Sequence, residues 1–256
     1  MTDFTGKNTL VTGGSRGIGK AIALEFARRG SNIIFNYLKD HDSAKKTQTE
    51  LEALGVKCLK IRAHLGDPDK IQILFNEIST KFGTLDILIN NAASGVQRNA
   101  KDLTTKHWDW TMNINARAPW ICSIEASKLM VNGGNIINIS SEGSRTVLPY
   151  YIAVGASKAA LESITRYLAI ELADQKINVN AVSGGYIDTG ALDTFPNKKE
   201  MLQAGKNNLT NRIVEVNDIA KVTAFLCTKD AEMIRGQVVI VDGGVTLSAN
   251  LPVSES

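Results

Sequence analysis

Two adjacent tyrosines, Tyr150 and Tyr151, precede Lys158 in the stretch YYIAVGASK, eight and seven residues before it, and the residue four before it is Val154. A phenol and an ammonium on one helix face can act together on a developing oxyanion: the hydroxyl donates a hydrogen bond and the lysine adds positive potential. At about 100° per residue, a seven-residue step returns to nearly the same face, whereas eight residues swing about 80° away. If the helix, or a turn continuing it, reaches back to 151, Tyr151 points with Lys158 and Tyr150 does not. Pro149 just before suits a first helical turn. The competing use of both tyrosines is simple packing.

A second group of residues has chemistry of a different kind. In VTGGSRGIGKAIALEFARRG, Gly13, Gly17 and Gly19 punctuate a turn completed by Ser15, Arg16 and Ile18, between a strand-like run and an amphipathic helix. Glycines there allow a tight turn and let the backbone approach a pyrophosphate, which then faces unpaired N–H groups at a helix N-terminus. The following strand ends at Asn36, about where a carboxylate would grip a ribose 2′-hydroxyl, and no acid is present. Arg16 and Lys39 can instead meet a 2′-phosphate, so the expected cofactor is NADPH.

Both groups need a scaffold. Seven short apolar runs alternate with helical stretches: NTLVT near 8, NIIFNY near 32, KCLKIRA near 57, DILIN near 86, NIINIS near 135, INVNAV near 177 and QVVIV near 237. Runs apolar on nearly every residue fit strands covered on both faces, so the expectation is an α/β, Rossmann-type, doubly wound sheet of about seven parallel strands. At 256 residues, one domain over 1–256 is the default reading. The alternation lapses between 190 and 212 in a polar stretch containing Pro196, read as a flap over a substrate site.

Composition narrows the remaining classes. A chain 43% hydrophobic and 21% charged is that of an ordinary folded protein, which argues against wholesale disorder. MTDFTGK lacks a basic stretch followed by an apolar core, and no run reaches the ~18 apolar residues of a membrane span, so a cytoplasmic protein is expected. Cys58, Cys122 and Cys227 are scattered, as are His41, His64 and His107, which suggests neither disulfides nor a metal site. A net charge of +3, thinly spread, gives no footprint for nucleic acid but leaves room for an acidic protein partner.

Six segments in order, TGGSRGIG, NNAA at 90–93, Asn115 in MNINA, ISS at 139–141, Lys158 and DGG at 242–244, make the chain resemble the short-chain dehydrogenase/reductase family over nearly its whole length. The resemblance implies that Asn91 and Ala92 neighbour the nucleoside part of the cofactor, that His64 and Leu65 lie near the adenine, and that Ile187 and Thr189 lie near the nicotinamide and diphosphate. SGG at 183–185 departs from the family's usual Pro-Gly. Most members carry tyrosine where Val154 stands; the Y-x6-K spacing is similar to that of the family's enoyl-acyl-carrier-protein reductases, and NNAASGV, HWDWTMNINA and VNAVSGGYIDT look like the NADPH-dependent type III enzymes.

On that likeness the expected reaction is reduction of the carbon-carbon double bond of a 2-enoyl thioester on acyl carrier protein. Tyr151 would hydrogen-bond the thioester carbonyl and Lys158 would hold the ribose hydroxyls, with Ser141 a further substrate contact and Asn115 a support for the lysine. Lys198, Lys199 and Lys206 become candidate docking charges for the acidic carrier. A homotetramer is implied, with Trp108, Trp110 and Trp120 as packing or subunit-contact residues. The nearest rival is a 3-oxoacyl ketoreductase using Ser141 and a displaced tyrosine; a non-catalytic NADP-binding sensor is a rival of another class.

Overall fold

The structure is a computed structural model that describes residues 4–190 and 198–248. Its centre is a seven-stranded sheet, every neighbouring pair parallel: β1 (Asn8–Val11), β2 (Asn32–Tyr37), β3 (Cys58–Arg62), β4 (Ile87–Asn90), β5 (Gly134–Ser141), β6 (Ile177–Gly184) and β7 (Val238–Val241). The spatial order is β3-β2-β1-β4-β5-β6-β7, and each of the seven apolar runs supplies one strand. Successive residues feed opposite faces. Val11, Ile33, Phe35 and Ile89 join one buried cluster, while Leu10, Ile34 and Leu88 join the other. That two-sided burial is why the runs show no polar alternation.

The crossovers are helical: α1 (Gly17–Arg28), α2 (His41–Glu52), α3 (Pro68–Phe82), α4 (Thr105–Met112), α5 (Ala118–Leu129), α6 (Ile152–Glu171), α7 (Lys198–Lys206) and α8 (Val216–Phe225), with α9 (Val245–Ser248) following β7. Local chemistry sets several of their ends. The Asp40 side chain accepts from the Ser43 N–H at the start of α2. Asp67 and Pro68 open α3, and Gly83 at φ 75° closes it. Between α4 and α5, residues Asn113–Arg117 widen into a π-helical turn that carries Asn115.

The face of β5 against α6 is polar where most of the interior is not. Asn90 Nδ2 donates to Asn138 Oδ1 at 2.9 Å, Asn138 Nδ2 to Thr165 Oγ1 at 2.9 Å, and Ser140 Oγ to Glu162 Oε1 at 2.7 Å. A buried seam of satisfied polar groups fixes the register of α6 on the sheet more narrowly than apolar packing would.

Pro149 does not sit in the first turn of α6. It precedes the helix in the turn Leu148–Tyr151, closed by the Tyr151 N–H on the Leu148 carbonyl at 3.3 Å, with Tyr150 at φ 62°. Proline second and a positive φ third are the marks of a type II turn. α6 then begins at Ile152, with Tyr151 as its N-cap. Within the stretch read as a flap, α7 is described; residues 191–197, including Pro196, lie outside the described residues.

Candidate active site

The C-terminal ends of β1, β4, β5 and β6 open onto one cavity of about 200 Å³ at the switch point of the strand order, where open α/β sheets take their ligands. Ser141, Tyr151, Lys158, Asn91, Ile18, Ile187 and Thr189 all line it. The structure therefore brings together residues from four separated stretches of the sequence. Tyr150, by contrast, lines a neighbouring cleft with Arg98 and Arg145.

The left-handed turn is the cause of that separation. At φ 62° Tyr150 is thrown to the outside and its carbonyl accepts from the Arg98 N–H at 3.0 Å. Tyr151, N-capping α6, turns inward and places its hydroxyl 3.1 Å from Ser141 Oγ. Burial raises the Tyr151 phenol above its ordinary pKa, and the Ser141 hydrogen bond opposes that rise. The ring lies against Gly143, where an added Cβ would stand 2.5 Å from ring carbons Cδ1 and Cε1. Val154, in the position four before Lys158, is 7% exposed and fills space against Gly95.

Lys158 is 5% exposed, and its Nζ donates to the Ile139 carbonyl at 2.6 Å. Desolvation brings its pKa down to about 8, and the Glu162 carboxylate works against that fall. Asn115 is hydrogen-bonded to the residue next to the lysine. Its amide exchanges two 2.8 Å hydrogen bonds with the backbone of Ser94 and donates to Ser157 Oγ at 3.0 Å, tying the loop after β4 to the residue beside Lys158.

At the nucleotide end, Gly13 and Gly17 have φ of 64° and 55°, a region L side chains rarely adopt. At Gly19 the reason is proximity, since a Cβ there would collide with the Gly13 carbonyl and the Asn91 amide. Arg16 occupies the N-cap of α1 without a side-chain cap, so the first N–H groups of the helix keep their capacity for an anion. A dinucleotide fits this cradle. Arg16 and Lys39 are exposed beside it, and the Asp40 carboxyl is held below the ordinary range chiefly by hydrogen bonds from Ser43, with a smaller contribution from the Arg16 charge. Ser15 is buried, its carbonyl accepting from Thr47 Oγ1 at 2.9 Å.

Three of the residues expected at the cofactor also have contacts within the protein. Asn36 is 3% exposed and braces the turn, its Oδ1 accepting from the Gly13 N–H at 2.9 Å and its Nδ2 donating to the Ala63 carbonyl at 3.1 Å. Its polar atoms are thus engaged within the protein instead of presented to a ribose. Leu65 is a core residue among Leu74, Leu88 and their neighbours. His64 Nδ1 accepts from the Gly66 N–H at 3.1 Å, a loop contact.

Asn91 and Ala92 are held against the glycine turn. The N–H groups of both converge on Thr12 Oγ1 at 2.9 and 3.0 Å, and Asn91 Nδ2 donates to the Thr12 carbonyl. Thr12, Gly143 and Glu162 were not singled out by their sequence. Only Glu162 carried a signal, being one helical turn beyond Lys158. Lys198 forms an ion pair with Asp188 at 3.0 Å, while Lys199 and Lys206 project exposed from α7. Burial pushes the Cys58 and Cys122 thiols up to about 12 and raises Cys227 as well, so none favours a thiolate. No group of three or more potential metal ligands occurs among the described residues, and no described helix is long and apolar enough to cross a membrane.

Comparison with known proteins finds relatives over most of the chain. A family model described as enoyl-(acyl carrier protein) reductase matches residues 13–246. The 1-cyclohexenylcarbonyl-CoA reductase of Streptomyces collinus is 39% identical over 94% of this chain and 87% of its own. Versicolorin reductase of Emericella nidulans is 34% identical over 93% and 95%. Among solved structures, a short-chain dehydrogenase from Burkholderia cenocepacia in complex with NADP superposes with a TM-score of 0.89 at 33% identity, covering 95% of this chain and 99% of that one. An angucycline C-6 ketoreductase with bound NADP gives 0.88 at 34% identity, covering 96% and 97%. With the family model over residues 13–246, a relative 39% identical across 94% of the chain, and the glycine turn, Tyr151 and Lys158 at the carboxyl edge of a seven-stranded parallel sheet, the chain belongs to the short-chain dehydrogenase/reductase family.

Proposed function

We propose that this protein uses NADPH to reduce the carbon-carbon double bond of a 2-enoyl thioester. The observation that carries the reading is the inward turn of Tyr151 onto the Lys158 cavity, with Val154 filling the position that precedes the lysine by four. NADPH is chosen because the glycine turn accepts a pyrophosphate, no acid lies at the end of β2, and Arg16 and Lys39 stand exposed beside it. Bound there, a reduced nicotinamide supplies a hydride.

The protein's own work is to polarise and steady the thioester. Starting the tyrosine three residues earlier moves its anchor on the order of 4 to 5 Å along a helix. In an enoyl thioester, hydride adds to the β-carbon and negative charge gathers on the thioester oxygen three bonds away, two bonds further than in a carbonyl reduction, so a donor set further back suits that oxygen. Tyr151 donates its hydroxyl proton into a hydrogen bond with this oxygen, Ser141 Oγ orients the phenol, and the Lys158 ammonium favours the developing charge. Asn115 keeps the loop after β4 and the start of α6 in register.

The thioester arrives on acyl carrier protein, past a flap about residues 190–212 of whose described part α7 is the helix. Lys199 and Lys206, seven residues apart on one face of α7, are the cations for the carrier; Lys198 is engaged by Asp188. The exposed tryptophans Trp108, Trp110 and Trp120 belong to the contacts of a homotetramer.

A ketoreductase reading draws on the Ser141–Tyr151 pair, which could serve a carbonyl directly. NADPH oxidation with matched 2-enoyl and 3-oxoacyl thioesters separates the two. Turnover of the enoyl substrate alone is expected. Turnover confined to the 3-oxo substrate transfers the assignment to the ketoreductase, and no turnover with any acyl thioester points to a non-catalytic role.

A further inference from the structure

Glu162 is 5% exposed, as is Lys158 one helical turn before it, and no step above uses it. Both of its oxygens are held. Oε1 accepts from Ser140 Oγ at 2.7 Å and Ser144 Oγ at 2.6 Å, and Oε2 from Arg145 Nε at 3.1 Å. Lys158 Nζ is anchored on the Ile139 carbonyl, so the two side chains are tied to consecutive residues of β5. An ammonium buried without a countercharge would shed its proton near neutrality.

The surroundings offer few other charges. Across the cavity stand the Tyr151 phenol and Glu142, whose carboxyl is pushed up by burial and by Asp242. β5 and β6 carry no ionisable side chain along their length. Arg117, from the π-helical turn, donates to the Gly66 carbonyl. On α4, Lys106 and Asp109 are exposed and His107 pairs with Thr104; on α5, Glu125 pairs with Lys128.

We propose that Glu162 is the fixed counter-ion of Lys158, a positioning residue that keeps the buried ammonium charged at the floor of the cavity. The inference rests on Lys158 being the working lysine and is indifferent to whether the substrate is an enoyl or a 3-oxoacyl thioester. Residues one turn apart have Cβ atoms about 5 to 6 Å apart, and opposite charges at about that separation in an effective dielectric of about 20 are worth on the order of one to two pH units in the lysine's titration. The sign follows from the charge: without the carboxylate, Lys158 loses its proton at lower pH. Catalysis that needs the ammonium then fails earlier as pH rises.

The test is a titration of Lys158 by NMR with 13Cε-labelled lysine in the ligand-free protein, the signal assigned by its loss in Lys158→Arg, alongside pH profiles of kcat/KM. Glu162→Gln keeps the acceptor for the serines and removes the charge; Glu162→Asp keeps the charge and shortens the reach. The Lys158 midpoint and the alkaline limb of kcat/KM should both fall by about one unit or more in the Gln variant, about a tenfold loss of ammonium at pH well above the parent's midpoint, and should return toward the parent's in the Asp variant. An unmoved midpoint in a folded Gln variant overturns the proposal and leaves Glu162 as a brace for the 142–145 turn. Should the Gln variant not fold, the parent decides: a midpoint near 8 supports a countercharge, and one below about 6.5 means that burial goes uncompensated. Because the NMR midpoint is read without substrate, failure of the substrate assignment leaves it untouched.

Discussion

The hydroxyl of Tyr151 can be removed with almost no change of shape, which makes Tyr151→Phe the sharpest variant at the scale of single residues. Turnover of an enoyl thioester should fall by about a hundredfold or more, as when one oxyanion donor is lost, while NADPH binding by fluorescence titration survives. Tyr150→Phe, on the far side of a left-handed residue, should keep most activity. Gly143→Ala adds a methyl where the Tyr151 ring lies, and displacing that ring should lower kcat by about tenfold or more with the hydroxyl still present. Arg16→Ala should raise the NADPH KM by roughly ten- to a hundredfold, the loss of one charge-assisted phosphate contact of about 1.5 to 3 kcal/mol, and leave NADH nearly unaffected. Equal use of the two cofactors by the parent protein would refute that assignment.

Among the elements, α6 joins what was legible in the sequence to what was not. Seven strands could be read because a run apolar on both faces has few other uses, and Lys158 could be placed on a helix. The start of that helix could not, since Tyr150 adopts a positive φ without being glycine, and only the surrounding fold holds it there. The same limit explains Asn36 and Leu65. Their positions near strand ends were legible, but the direction of each side chain depends on packing: for Asn36 on Gly13 and Ala63, distant in the chain, and for Leu65 on how α3 folds back over the sheet. Val154 gives the element-scale prediction. Its side chain already fills the gap to Gly95, so Val154→Tyr in the Tyr151→Phe background should cost about 1 to 3 kcal/mol in denaturant unfolding and should not restore enoyl reduction.

For the molecule as a whole, the order β3-β2-β1-β4-β5-β6-β7 divides the chain at a single internal seam. Strands β1 to β3 and strands β4 to β7 each form an unbroken portion of sheet, and the two meet in the β1/β4 pairing of Thr9, Leu10 and Val11 with Ile87, Leu88 and Ile89. Gly83, in open space between α3 and β4, marks where the chain passes from one portion to the other. The glycine turn lies wholly in the first portion, and Tyr151 with Lys158 wholly in the second. The protein is therefore built as a natural two-fragment reporter. Fragments 1–83 and 84–256 should be inactive alone, each with half of the site and an open hydrophobic sheet edge, and co-expression should return NADPH oxidation as that edge is closed. A Leu88→Asp change in the larger fragment, which puts a charge into the seam, should abolish complementation, and activity from either fragment alone would show that the seam does not divide the chemistry.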